Sequence, residues 1–304
     1  MKLTLDISVY IMTRDRVCFL KEALKSFLNQ YVKGFSYEII ISDNSISNEV
    51  EKYIKASNLD VKYIRQGGKL SPDEHLQVIS NSCSSEYMVL FHDDDYVDFH
   101  FLYLSILEMR NNRSLGAVCL NSASFHNGMK VYNLGWISAK RVVIKDECDI
   151  YKRYLLQDGV PAFSGYFYRT SVIKKIDFLN FSGIHIDSEI IASVASTSGG
   201  VLWIPKVCVY SRVHGGNGSL TESLVDRKKL IRYIDKNTNC KFKHDLYRIY
   251  LQLSIDRKNH RKPLFPILFA SRCLRFPGCF THIPLMLFIT LKRISSRIVA
   301  LLYR

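Results

Sequence analysis

The sequence predicts an α/β fold, a mostly parallel sheet flanked by helices, followed by a basic helical C-terminal extension. Three observations predict it. Short runs rich in β-branched and aromatic residues alternate with segments whose apolar residues recur at helical spacing. Several of the runs end in polar, mostly acidic residues. The alternation stops near residue 227, where the chain turns strongly basic.

The first unit is the apolar run ISVYIM (7–12), a polar break TRDR, and then VCFLKEALKSFLNQY. In the last segment Leu20, Leu24, Phe27 and Leu28 share one helical face, with Lys21, Glu22 and Lys25 opposite. YEIIIS (37–42) and VKYIR (61–65) are the next strands, the first ending in Asp43-Asn44-Ser45. Ser71-Pro72-Asp73-Glu74 carries a capping signal and opens a helix through HLQVISNSC. EYMVLF (86–91) is a strand that runs into three aspartates, and FHFLYLSILEMR is the helix after it. Further on, 116–125 and 131–139 read as strands, 150–159 as a helix closed by Gly159, 186–197 as a helix with an acidic start, and 201–214 as an apolar strand leading into GGNGS. Strands alternating with helices at these separations imply a parallel sheet.

At 304 residues, 47% hydrophobic and 23% charged, the chain has the composition of a folded protein with a sizeable core. Its net charge of +14 is unevenly distributed. Residues 227–304 hold 18 Lys and Arg against three Asp, whereas residues 1–226 are nearly neutral. A neutral body argues against nucleic acid as a partner. The eight cysteines form no C-x-x-C pair and no zinc spacing, so they read as reduced, mostly buried thiols in a cytosolic protein. The opening segment is too short and too charged for a signal peptide.

The stretch MVLFHDDDYVD (88–98) brings Asp93, Asp94, Asp95 and Asp98 together at a strand end. Adjacent carboxylates repel and raise one another's pKa unless a cation is present. A solvated acidic turn is the simplest account of one such cluster. Three strands, however, end in Thr13-Arg14-Asp15, Asp43-Asn44 and Asp93–Asp95, and ligands of parallel sheets bind beyond the carboxyl ends of the strands. A hard divalent cation, Mg²⁺ or Mn²⁺, held by one or two carboxylates fits such a rim.

In order, SVYIMTRDR, LKEALKSFLNQ, YEIIISDNS, EYMVLFHDDD, DSEI and YSRVHGGNGS resemble the family 2 glycosyltransferases, inverting enzymes with a GT-A fold. The resemblance spans about residues 5 to 220. It implies a GT-A domain over 1–226, with a donor-binding half at about 1–98 and an acceptor and catalytic half at about 99–226. It further implies that Asp93 and Asp95 form an Asp-x-Asp pair, Asp95 ligating the metal and Asp93 the metal or the ribose. Asp94 belongs to the same donor-side stretch and would point away if the strand pleat persists, while Asp98 starts the next helix. Thr13, Asp15 and Asp43 would hold the base or ribose, and Arg65 is a candidate phosphate or base contact. His214, after Arg212, would touch the metal or diphosphate. Asp187 is the candidate catalytic base, with Glu189 as the alternative, and Phe163, Ser164 and Gly165 line the acceptor side. Two departures stand out: Arg14-Asp15 where the family has an aromatic and Asn, and His75 where an Asn often sits.

Residues 263–304 contain LFPILFA and IPLMLFITL broken by Arg and Lys, with no run of the ~20 apolar residues a bilayer span needs. Such a tail (227–304) suits the surface of a membrane. Together with the family it implies a cytoplasmic enzyme, peripheral at the inner face of the cell membrane. Its expected partners are a nucleotide-sugar donor and a glycan acceptor carried on a polyprenyl diphosphate, as in bacterial O-antigen or capsule synthesis. A nucleotidyltransferase acting on sugar phosphates would instead need a glycine-rich phosphate loop after the first strand, and TRDRVCF contains no glycine. A basic nucleic-acid-binding protein would need a basic body.

Overall fold

The computed structural model describes residues 5–126, 129–131, 141–156, 162–214 and 222–251, apart from 243, 245, 248 and 249. Its ten strands are β1 (Ile7–Thr13), β2 (Tyr37–Asp43), β3 (Lys62–Arg65), β4 (Tyr87–His92), β5 (Tyr96–Val97), β6 (Ala117–His126), β7 (Met129–Val131), β8 (Val142–Ile144), β9 (Tyr166–Arg169) and β10 (Val201–Arg212). The helices are α1 (Val17–Leu28), α2 (Glu49–Ser57), α3 (Pro72–Ser82), α4 (Phe101–Asn111), α5 (Glu147–Leu155), α6 (Thr170–Ile173), α7 (Ile186–Thr197) and α8 (Leu224–Asn237).

One mixed sheet runs in the order β3-β2-β1-β4-β9-β6-β10-β5, with β7 on β6 and β8 on β10. β3, β2, β1 and β4 are parallel, as predicted. The departure is β9, which lies antiparallel between β4 and β6. That reversal brings the start of β9 to the rim where β4 ends. β6 and β10 run parallel to each other, so β10 also finishes at that rim. Residues distant in sequence thus meet along one edge.

The pleat splits each central strand between two cores. Ile7, Val9 and Ile11 face the side covered by α1 and α4, and Tyr10, Met88 and Leu90 face the side of α3, α5 and α7. Trp203 is buried in the second of these cores. α3 begins as the sequence predicts: Ser71 and Glu74 close a reciprocal capping box and Pro72 occupies the first turn. α2 has no counterpart in the sequence reading. Its apolar face is thin, with Val50 its only fully buried residue.

α8 packs into the body. Leu230 and Ile234 are fully buried beside α5 and α7, each worth about 1.5–3 kcal/mol. The boundary expected at residue 226 therefore passes through packed structure. Cys148, at the start of α5, and Cys240, just after α8, are disulfide-bonded across a separation of 92 residues. This corrects the expectation of reduced thiols for that pair, whose proximity depends on the docking of α8. Cys18, Cys83, Cys119 and Cys208 are free, all but Cys18 buried. Among the described residues no helix is long and apolar enough to cross a membrane. The apolar tail of 263–304, the Gly159 helix end, the GGNGS loop and most of the strand expected at 131–139 lie outside the described residues.

Candidate active site

The register levels the three strand ends. Thr13 pairs with Asp43 and Met12 with His92, so the polar ends of β1, β2 and β4 share one rim. Above them, the Thr13 hydroxyl donates to Asp93 at 2.6 Å, and Arg16 reaches Asp93 at 3.4 Å and Asp94 at 3.2 Å. From the end of β10, the Arg212 backbone N–H donates to Asp95 at 3.0 Å and its side chain to the Asp94 carbonyl at 3.2 Å. His214 Nε2 lies 2.8 Å from the Asp94 carboxylate, its ring 4.8 Å from that of Phe19.

Asp94 does not point away as expected. β4 ends at His92, and the Asp95 N–H turns back to the His92 carbonyl, so the pleat stops before the aspartates. Ligand atoms of His92, Asp94 and Asp95 consequently lie within 4.8 Å of one another. The residues expected to hold a metal, Asp93, Asp95 and His214, are placed differently from this trio: Asp93 is engaged by Thr13, and His214 touches Asp94. His92 was missed in the sequence reading, although it stands two residues before Asp94. A divalent cation fits the trio, because two carboxylates and an imidazole form a donor set for which Mn²⁺ is better matched than Mg²⁺.

The electrostatics explain why the cluster is tolerated. Burial raises the Asp93 pKa despite the Thr13 hydrogen bond and Arg16. Burial also acts upward on Asp94, but His92, His214 and Arg16 together hold its carboxyl below the usual range. Asp95, buried and beside the Asp94 charge, is pushed up to about 6.

The predicted acceptor-side residues lie beneath this trio. The Phe163 ring stacks on His92 with centroids 4.6 Å apart, and the Ser164 hydroxyl accepts the His92 backbone N–H at 3.5 Å. A Cβ at Gly165 would sit 2.8 Å from the Leu120 carbonyl, so the tight turn of 163–165 can press against β6 only with glycine there.

The predicted base-binding residues are mostly used in ordering loops. Asp43 is completely buried, accepting from the Ser45 N–H at 2.8 Å and the Tyr63 hydroxyl at 2.6 Å. Arg65 donates to the Ser47 carbonyl at 2.9 Å and approaches Asp43 at 3.8 Å. Asp15, at φ 55°, accepts the Ile46 and Ser47 N–H groups, and a cavity of about 700 Å³ opens beside it between α1 and α2. Asp98 accepts the His100 N–H just ahead of α4. His75 is buried against Ser42, and burial pushes its pKa down to about 4, so it is uncharged at neutral pH.

The two acidic residues of α7 separate clearly. At 100° per residue, positions 187 and 189 face nearly opposite ways. Glu189 is fully buried and both its oxygens accept the Ser182 N–H, at 3.0 and 3.1 Å. Asp187 is half-buried on the His92 side. Loss of water raises its pKa, and the His92 ring opposes the rise.

Burial raises Glu189 from 4.5 to about 7. The folded protein then keeps this proton over a range where the unfolded chain has released it. Its stability contribution is full below pH 4.5 and is lost as pH rises to about 7, on the order of 3 kcal/mol in all. Glu189→Gln is expected to flatten that part of the stability profile while transfer activity persists. Denaturant melts at intervals between pH 4.5 and 8 check it, and an unchanged slope would refute it.

The sequence profile of glycosyl transferase family 2 matches residues 8–175, more than half of the chain. The chain belongs to glycosyl transferase family 2. Among solved structures, S. aureus TarS residues 1–349 aligns with a TM-score of 0.59 at 15% identity, covering 84% of this chain and 74% of that one. The same fragment in complex with UDP-GlcNAc gives 0.57 at 15% identity, covering 86% and 76%. Full TarS gives 0.55 at 14%, covering 84% and 44%. At such identity these likenesses establish the GT-A type of fold. No curated protein matches the chain significantly.

Proposed function

We propose that this family 2 glycosyltransferase is an inverting, metal-dependent enzyme that moves a sugar from a nucleotide-sugar donor to a glycan acceptor. The observation that carries the reading is the rim itself: ligand atoms of His92, Asp94 and Asp95 converge within 4.8 Å of one another, and Asp187 is near enough to the His92 ring to interact with it electrostatically. The UDP-GlcNAc complex of a protein with the same fold supports a nucleotide sugar as donor.

His92, Asp94 and Asp95 would hold Mn²⁺ or Mg²⁺. A bound cation of this kind supplies positive charge to the donor diphosphate as the nucleotide leaves. The remaining work falls to the chain. Arg16 already lies across Asp93 and Asp94 and offers a guanidinium to phosphate oxygens. Thr13 and Asp93 form a fixed pair at the ribose side, and the ordered loop of Asp15, Asp43 and Arg65 shapes the base side. Asp187 takes the proton from the acceptor hydroxyl as that oxygen attacks the anomeric carbon opposite the leaving diphosphate. The new glycosidic bond forms as the bond to the diphosphate breaks, which inverts the anomeric centre. The raised pKa of Asp187 makes it a better proton acceptor than an exposed aspartate.

The basic, apolar C-terminal segment supports placement at a membrane surface with a polyprenyl diphosphate-linked acceptor, as in O-antigen or capsule assembly. In a screen of nucleoside diphosphates with Mn²⁺, one is expected to raise the melting temperature by about 5 °C at a hundredfold excess over Kd. If none shifts it in the presence of metal, the proposal fails.

A further inference from the structure

α8 presents two faces of different character. Leu230, Ile234 and the buried Arg227 face the interior. Lys229, Arg232, Tyr233 and Lys236, at i, i+3, i+4 and i+7, form one stripe beside them. The stripe faces the loop Phe181–Gly183, and the two enclose an open groove of about 480 Å³. Its apolar wall is Phe181 against Tyr233, edge to face at 6.0 Å.

The cations of this groove are largely uncompensated. Lys229 has Asp226 at 3.8 Å, and among the described residues no carboxylate lies within ion-pair distance of the exposed Arg232 and Lys236. The acidic groups of neighbouring elements are engaged elsewhere: Glu189 by the Ser182 N–H, Asp177 by Asn180, and Glu147 by the Asn239 N–H. Like charges at these spacings weaken a helix, so the stripe calls for an anion. The chain's own C-terminal segment does not supply one, since residues 252–304 hold ten Lys and Arg against one Asp.

We propose that this groove binds a phosphate or diphosphate group of the acceptor. The inference rests on the glycosyltransferase reading above. Residues 181–183 lead directly into α7, whose first turn carries Asp187, and Ser182 is tied to that helix through Glu189. Because Ser182 is on the Glu189 side of α7 and Asp187 faces the other way, an acceptor would wrap around the start of this helix, its charged portion in the groove and its hydroxyl at the base. Arg232 supplies a planar fork matched to phosphate, and Lys229 and Lys236 flank it with mobile charges.

The test uses the full chain and inorganic pyrophosphate in metal-free, chelator-containing buffer, followed by calorimetry. Wild type and Asp95→Ala are expected to bind equally. Arg232→Ala/Lys236→Ala is expected to bind at least 10-fold more weakly, with unchanged melting temperature and unchanged Mn²⁺-dependent donor hydrolysis. The charge-conserving Arg232→Lys/Lys236→Arg retains binding. Absent wild-type binding, or equal affinity in the alanine double variant, overturns the proposal. So does a double variant that loses cosedimentation with phosphatidylglycerol vesicles but keeps pyrophosphate affinity, which assigns the stripe to lipid. Failure of wild-type donor hydrolysis would instead defeat the enzymatic reading, independently of the groove.

Discussion

Asp187→Asn is expected to lower the rate of glycosyl transfer by about 10²–10⁴-fold, the usual contribution of a general base, while donor affinity stays unchanged. The residue is isosteric, and among the described residues the position makes no ion pair whose loss would unfold α7. Single-turnover transfer and calorimetric donor binding, measured side by side, separate the two effects. Loss of donor binding would reassign Asp187 to the donor site. The acid limb of the wild-type rate profile provides a second reading. Asp187 must be deprotonated to act, and burial raises its pKa, so activity should fall at a higher pH than an ordinary aspartate would dictate. Glu189→Gln should leave this limb in place, because both Glu189 oxygens are turned inward to Ser182.

The second large effect concerns the metal. Asp94→Ala and Asp95→Ala are each expected to abolish Mn²⁺-dependent donor binding. His214→Ala, which removes a partner of Asp94, should weaken it by about 10–100-fold. Asp93→Asn keeps a hydrogen-bond acceptor for Thr13 and should do less harm than either alanine. Electron paramagnetic resonance of bound Mn²⁺ gives a readout independent of turnover. His92→Asp replaces the imidazole by a hard oxygen ligand and should shift preference from Mn²⁺ towards Mg²⁺. Retained Mn²⁺ binding in Asp94→Ala, with loss in Asp93→Asn, would restore the pairing of Asp93 with Asp95 and remove His92 from the set.

The misreading of the aspartates has a simple physical origin. Alternation along a strand holds only while the strand lasts, and in this chain the pairing of β4 with β1 ends at His92, followed by one last hydrogen bond from the Asp93 N–H to the Met12 carbonyl. Beyond it a turn replaces the pleat, so Asp94 and Asp95 converge with His92 instead of alternating. The same limit applies to Glu189 and Asp187: their opposite facing is implied by helical period, but which face meets the rim depends on how α7 packs against α5 and the sheet. α2 was missed because its burial is slight, and Cys148–Cys240 because no local spacing marks a bond across 92 residues.

What the sequence determined by itself is the local frame: the β-α alternation, the capped start of α3, the run of polar strand ends, and the family motifs spread over them. Those features depend on neighbours within a few residues, where periodicity, turn chemistry and capping act. The tertiary structure decided which ends share a rim. The antiparallel insertion of β9 set Phe163 and Ser164 under His92 and Asp95, and the course of β10 carried Arg212 and His214 onto Asp94. It also drew α8 into the core and turned its basic stripe towards the loop before α7. Such contacts join residues up to 120 positions apart, and they are fixed by burial of whole faces, a quantity no local pattern contains.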